Sequence, residues 1–129
     1  LINMQFEIKT NSNGFLIPLE MDKIPFEIKR AFFVQNFKPG DIRGNHAHRG
    51  EEHFLICLNG SINVTKEDIN GTSKFTLETG SSYYQKELEW LVLEYTQPNT
   101  SLLVFADALY DETNYIRDYE QFKKIIGKG

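Results

Sequence analysis

All three histidines of this 129-residue chain fall in one eight-residue run, His46-Ala47-His48-Arg49-Gly50-Glu51-Glu52-His53. Two of them form a His-x-His pair, and residues two apart on an extended strand point to the same face. Two imidazoles therefore share one surface. Imidazole exchanges a proton near neutral pH and is also the commonest ligand for transition metals. The run admits two chemistries, proton transfer or metal binding.

Composition narrows the setting. A chain of 129 residues is long enough for one core, and 40% hydrophobic with 25% charged residues is a globular balance. A formal charge of -4 argues against nonspecific nucleic-acid binding. The longest apolar runs, residues 54–58 and 102–105, fall far short of the ~20 residues of a membrane-spanning helix. The opening Leu1-Ile2-Asn3-Met4 lacks the basic and apolar blocks of a secretory signal. The single cysteine, Cys57, has no internal disulfide partner and sits in an apolar run, so it reads as a core residue in a cytoplasmic protein.

The elements that must position the histidines read as β-strands. Branched and aromatic residues recur between Gly, Asn, Asp and Pro, predicting strands at 15–19, 30–37, 44–48, 52–58, 61–66, 74–78, 82–85, 90–95 and 101–106. Residues 68–72 form a hairpin connection, because Asn70-Gly71 accepts positive φ. Residues 114–126 read as a helix, with Tyr115, Tyr119, Phe122 and Ile126 as its apolar stripe. Asp111, Glu112 and Asp118 are expected to cap and decorate it, and Glu51 and Glu52 to be solvated charges in a turn. The predicted fold is all-β, a small barrel or sandwich with one helix on the outside and a single domain over 1–129.

Gly40, five residues, His46-Ala47-His48, four residues, His53, six residues and Gly60 resemble the first cupin motif, with His53 where Glu or Gln would stand. That resemblance implies a jelly-roll barrel whose open mouth holds the site. The second cupin motif, which would supply a further histidine, falls on residues 80–95, where there is none. A narrower resemblance covers most of the chain. Residues 24–30, Arg43-Gly44-Asn45-His46-Ala47-His48-Arg49, residues 55–61 and residues 110–119 are similar to the sugar 3,4-ketoisomerases, the WxcM-like, metal-independent cupins. The family pattern carries Gln at position 53, Arg at 13, a Tyr within 32–33 and a polar residue at 91, where this chain has His53, Asn13, Phe32-Phe33 and Leu91.

The resemblance implies an isomerase that acts on dTDP-4-keto-6-deoxyglucose without cofactor or metal, as a homodimer often built with exchanged N-terminal strands. Its 3-keto product would pass to an aminotransferase. The same resemblance makes His48 the candidate base that shuttles a proton between C3 and C4, and His46 the group that handles the sugar oxygens. His53 is the third catalytic candidate. Arg43 and Arg30, then Arg49, are candidates to offset the substrate diphosphate. Phe33 and Asn45 are further candidates for substrate binding, and Trp90 offers either a face for thymine or a core side chain. Two other readings stay open: a metal-dependent cupin using His46, His48 and His53, and a noncatalytic sugar-nucleotide-binding module.

Overall fold

The computed structural model describes residues 4–129. Residues 1–3, read above with the opening segment for a leader signal, lie outside the described residues. In chain order the strands are β1 (Met4–Gln5), β2 (Lys9–Asn11), β3 (Gly14–Leu16), β4 (Arg30–Asn36), β5 (Asp41–His48), β6 (His53–Asn59), β7 (Ser61–Asp68), β8 (Gly71–Glu78), β9 (Ser81–Gln85), β10 (Trp90–Tyr95), β11 (Thr100–Ala106) and β12 (Tyr115–Ile116), followed by helix α1 (Tyr119–Ile125). Two five-stranded antiparallel sheets, ordered β1-β9-β6-β11-β4 and β12-β5-β10-β7-β8, face each other across the core. This is the cupin jelly roll expected from the sequence.

The apolar run of β6 is buried on both faces, which explains why it does not alternate with polar residues. Leu55 and Cys57 point into the barrel with Ile62, Leu77, Leu93, Tyr95, Leu102 and Val104. Phe54 and Ile56 point outward and are covered by Phe6, Ile17, Ile24 and Phe26 of the N-terminal segment. The surface that covers the outer face therefore comes from the same chain. Burial also pushes the Cys57 thiol up to about 12, which suits a core residue.

The Asn70-Gly71 hairpin forms as expected, with Asp68 paired to Gly71. The terminal helix is shorter than expected. It spans Tyr119–Ile125, and the Asp118 carboxylate accepts from the Gln121 amide at 3.1 Å as its N-cap. Residues 112–114 form a 3-10 turn, and Tyr115–Ile116 pair with His48 and Ala47 as β12. An open strand edge gives these two residues sheet hydrogen bonds, which overrides their place in a helical pattern. Tyr119, Phe122 and Ile126 still form a stripe, but Tyr115 leaves it. Phe122 and Ile126 pack with Ala47, Trp90 and Ile116 on the outer face of the second sheet. No helix among the described residues is long and apolar enough to cross a membrane.

Gly60, the glycine that closes the cupin-like spacing, turns the chain from β6 into β7 at φ 89°. A Cβ there would stand 2.3 Å from the Thr100 hydroxyl oxygen and 2.9 Å from the Thr100 Cα. Backbone conformation and space both demand glycine. Gly60→Ala should lower stability by about 1–3 kcal/mol, read as a lower urea midpoint at unchanged slope.

Candidate active site

β5 carries both His46 and His48 on the barrel's inner face, and a bulge sets what else joins them. Leu91 of β10 pairs with His46, while Val92 pairs with Gly44, so Asn45 is an extra residue in β5. Gly44 at φ 87° and Asn45 at φ 59° make the bulge, and a Cβ on Gly44 would lie 2.8 Å from the Leu91 carbonyl oxygen. The inserted residue shifts the alternation by one. Arg43 and His46, three apart in sequence, therefore both line the cavity. Asn45 itself is exposed and outside that lining, so it supplies the bend rather than a contact.

β6 brings His53 to the same wall. The imidazole ring centroids lie 4.8 Å apart for His46 and His48 and 3.9 Å apart for His48 and His53. Tyr115 of β12 closes the group, 5.2 Å from His46 and 4.7 Å from His48. His46 Nδ1 lies 3.0 Å from the Gly44 carbonyl oxygen, which accepts only from an N–H and so leaves Nε2 bare in the neutral ring. His48 is fully buried, and neither of its nitrogens has a partner among the described residues. His53 Nε2 lies 2.5 Å from Glu51 Oε2.

Glu51 corrects the expectation of a solvated turn charge: its side chain is 0% exposed. The same Oε2 accepts from Arg30 Nη2 at 3.0 Å, and Oε1 accepts from Asn114 Nδ2 at 3.2 Å. Arg30 Nη2 also donates to the Tyr115 hydroxyl at 2.8 Å. Glu52 is likewise engaged, accepting from the Tyr84 hydroxyl. Glu51, Tyr115, Arg117 and Gln85 are members of the site or its wall that sequence reading missed. Glu51 and His53 had a signal, since they repeat the two-residue spacing of the histidine pair. Tyr115 was hidden in a helical pattern.

The cavity measures about 260 Å³ and is lined by the polar side chains of Arg43, His46, His53, Gln85 and Arg117 and by apolar residues that include Val34, Leu55 and Leu102. Arg43 also borders a shallower depression of about 570 Å³ over the β4–β5 connection, next to Lys38. Phe32, not the expected Phe33, lines the cavity. Alternation along β4 turns Phe33 outward, where it is 55% exposed. Trp90 lies on the opposite face of β10, packed on Tyr119 and Phe122 at 5.3 and 5.4 Å, and so serves α1 rather than the cavity. Arg49 is exposed beyond the end of β5, outside the lining. Leu91, where the family pattern is polar, is part of the lining.

Burial lowers the pKa of all three histidines. For His48 the effect is large, to about 2, because burial is joined by repulsion from His53, His46, Arg30 and Arg117. For His53 the Glu51 carboxylate opposes the burial without cancelling it. Burial thus favours the neutral form of all three rings; His46 and His53 line the cavity, and His48 is fully buried outside its lining.

Ligand atoms of His48, Glu51 and His53 lie within 4.8 Å of one another, a spacing a metal ion can use. His46 does not belong to that group. Glu51 is already shared between His53 and Arg30, so a divalent ion would displace a proton and sit beside a guanidinium. The charge set fits proton transfer better than a metal centre.

Because the folded state takes up histidine protons less readily than the unfolded chain, lowering the pH favours unfolding. Stability should fall as the pH drops from about 6.5 to 5, by up to about 1.4 kcal/mol per pH unit for His48 and with His46 and His53 adding in the same direction, read as a lower urea midpoint. The slope should shrink in His48→Asn, and the His48 ring protons should not titrate by NMR in that window.

The chain matches a family model described as WxcM-like, C-terminal, over residues 1–127. It is 37% identical over 127 residues to the TDP-4-oxo-6-deoxy-alpha-D-glucose-3,4-oxoisomerase of Aneurinibacillus thermoaerophilus, covering 97% of this chain and 91% of that protein. The structure is similar, at TM-score 0.83 and 32% identity, to the sugar 3,4-ketoisomerase QdtA of Thermoanaerobacterium thermosaccharolyticum in complex with TDP, covering 96% of this chain and 92% of that one. A histidine-to-asparagine mutant of QdtA, in complex with TDP-4-keto-6-deoxyglucose, matches at TM-score 0.83 and 31% identity over 96% of this chain and 91% of that one. The TDP-fucose-3,4-ketoisomerase of Campylobacter jejuni matches at TM-score 0.80 and 30% identity over 96% and 93% of the two chains. With its histidine-lined barrel and a family match over nearly its whole length, this chain belongs to the WxcM-like sugar 3,4-ketoisomerase family of cupins.

Proposed function

We propose that this chain is a metal-independent isomerase that converts dTDP-4-keto-6-deoxyglucose to a dTDP-3-keto-6-deoxyhexose. The observation that carries the reading is the group of neutral imidazoles, two of which line a cavity of about 260 Å³, the scale of a sugar ring rather than of a whole nucleotide sugar. The nucleotide then lies outside the barrel mouth. Arg43, shared between the cavity and the adjoining depression, is placed to meet the diphosphate that joins the two.

The C4 carbonyl acidifies the C3 hydrogen. His48 takes that proton, the electron pair forms the C3–C4 double bond, and O4 becomes an oxyanion. The same proton returns to C4 while O3 loses its hydrogen to become the new carbonyl and O4 is left as a hydroxyl. His46, with Nε2 bare and Nδ1 tied to Gly44, relays protons between the sugar oxygens and solvent. No atom is gained or lost. His53 is the third catalytic group, held against His48.

The chain acts as a homodimer in the cytoplasm. Supporting the dimer, β4 is the edge strand of its sheet, and Phe33 on β4 and Phe15 and Leu16 on β3 are exposed. The free, buried Cys57 is compatible with a reducing compartment.

Chelator-treated protein mixed with dTDP-4-keto-6-deoxyglucose in deuterated water should yield a 3-keto species by proton NMR, with the C3 proton returned to C4 so that C4 keeps protium. His48→Asn should abolish this conversion, by at least about 10²-fold, while TDP affinity and the far-UV spectrum stay close to those of the unsubstituted protein. Conversion that survives in His48→Asn would remove that ring from the role of base.

A further inference from the structure

Glu51 is tied to three side chains that reach it from different parts of the chain. Its Oε2 meets His53 Nε2 at 2.5 Å and Arg30 Nη2 at 3.0 Å, and Oε1 meets Asn114 Nδ2 at 3.2 Å. The carboxylate is wholly buried, so these partners stand in for water. An ionised carboxylate only accepts hydrogen bonds, and the Nε2 that meets it must carry the hydrogen. In the neutral ring that leaves Nδ1 as the only lone pair. The tautomer of a ring that lines the cavity is thus written by a residue outside it.

The same ring lies 3.9 Å, centroid to centroid, from His48. Two imidazoles that close repel each other when charged, so the state of His53 bears directly on what His48 can accept. Besides Glu51, the ionisable groups acting on His53 are Arg30, Asp107, His46 and His48. Of these only Glu51 is bonded to the ring.

We propose that Glu51 is a positioning residue of the isomerase, its buried carboxylate holding His53 in the Nε2–H tautomer against His48. This rests on the isomerase reading above. Glu51 does not touch the cavity and acts through His53, much as a buried carboxylate orients the histidine of a hydrolytic triad. Arg30, bonded to the same oxygen and to Tyr115, fixes the carboxylate in turn.

Long-range proton–nitrogen NMR of the unmodified protein without substrate, at neutral pH, should show His53 with Nε2 protonated and Nδ1 bare. In Glu51→Gln that preference should be lost. For dTDP-4-keto-6-deoxyglucose, kcat should fall about tenfold or more with KM changed less than about threefold. Added to His53→Gln, the same substitution should cost less than about twofold more, because the path through the ring is already gone. An Nδ1–H tautomer in the unmodified protein, or an equal loss from Glu51→Gln with and without His53, would overturn the assignment. The tautomer is read on unmodified protein, so the test does not depend on the variant folding. Failure of the isomerase reading is a different result, no turnover by the unmodified chain.

Discussion

The buried carboxylate of Glu51 is the constraint around which the site is assembled. A charge with no exposure to water must be matched by partners within the fold, and leaving one uncompensated costs on the order of 3–5 kcal/mol. The partners come from β4, β6 and the segment before β12, through Arg30, His53 and Asn114. Arg30 extends the network to Tyr115, which pairs along β5 beside His48. Through Arg30 and Tyr115, one anion thus links the two sheets. It also does so where the three histidines need a fixed wall.

Strand geometry then decides which side chains meet. Alternation delivers His46 and His48 to the inside of β5, and His53 to the inside of β6 with Leu55 and Cys57. The bulge at Gly44-Asn45 breaks the alternation once, so Arg43 turns inward too. Strict alternation from His46 would have turned Arg43 to the outer face and left the cavity without its arginine. The outward residues of the same strands have a separate task. Ala47, Trp90 and Val92 form the bed on which α1 rests.

Much of this was legible because strand patterning and motif spacing are local. The histidine run, its face, the hairpin at Asn70-Gly71 and most strands follow from residues close in sequence. What was not legible depends on pairing between distant residues. Tyr115 follows a helical stripe in sequence, yet the open edge of β5 claims it. Glu51 looks solvated beside Glu52 and Arg49, and only the arrival of Arg30 from β4 makes its burial affordable. Trp90 and Phe33 are aromatic residues near a candidate site, but sheet parity sends both to the opposite face. Phe32 could be chosen over Phe33 only once the register of β4 against β11 was known.

The depressed basicity of His48 is best understood together with the charge that the reaction creates. At rest the ring is neutral, buried and unpartnered, and burial with neighbouring positive charge holds its pKa near 2. Such a ring is a poor base toward an isolated proton. On the proposed isomerase reading, taking the C3 proton would place an enediolate anion beside it, and an opposite charge in a poorly solvated site favours the imidazolium strongly. Proton transfer would then make an ion pair, and return of the proton to C4 would remove it. In that scheme the substrate supplies the counter-charge only while the proton is on the ring, which would confine the stabilisation to the intermediate and to the transition states flanking it. Arg43 and Arg117 in the cavity lining add positive charge to that site, and Val34, Leu55 and Leu102 give it apolar walls. A histidine that was already charged would offer no lone pair, and one fully exposed would gain little from the anion. In the proposed mechanism, neutrality at rest is what leaves the ring a lone pair with which to take the proton.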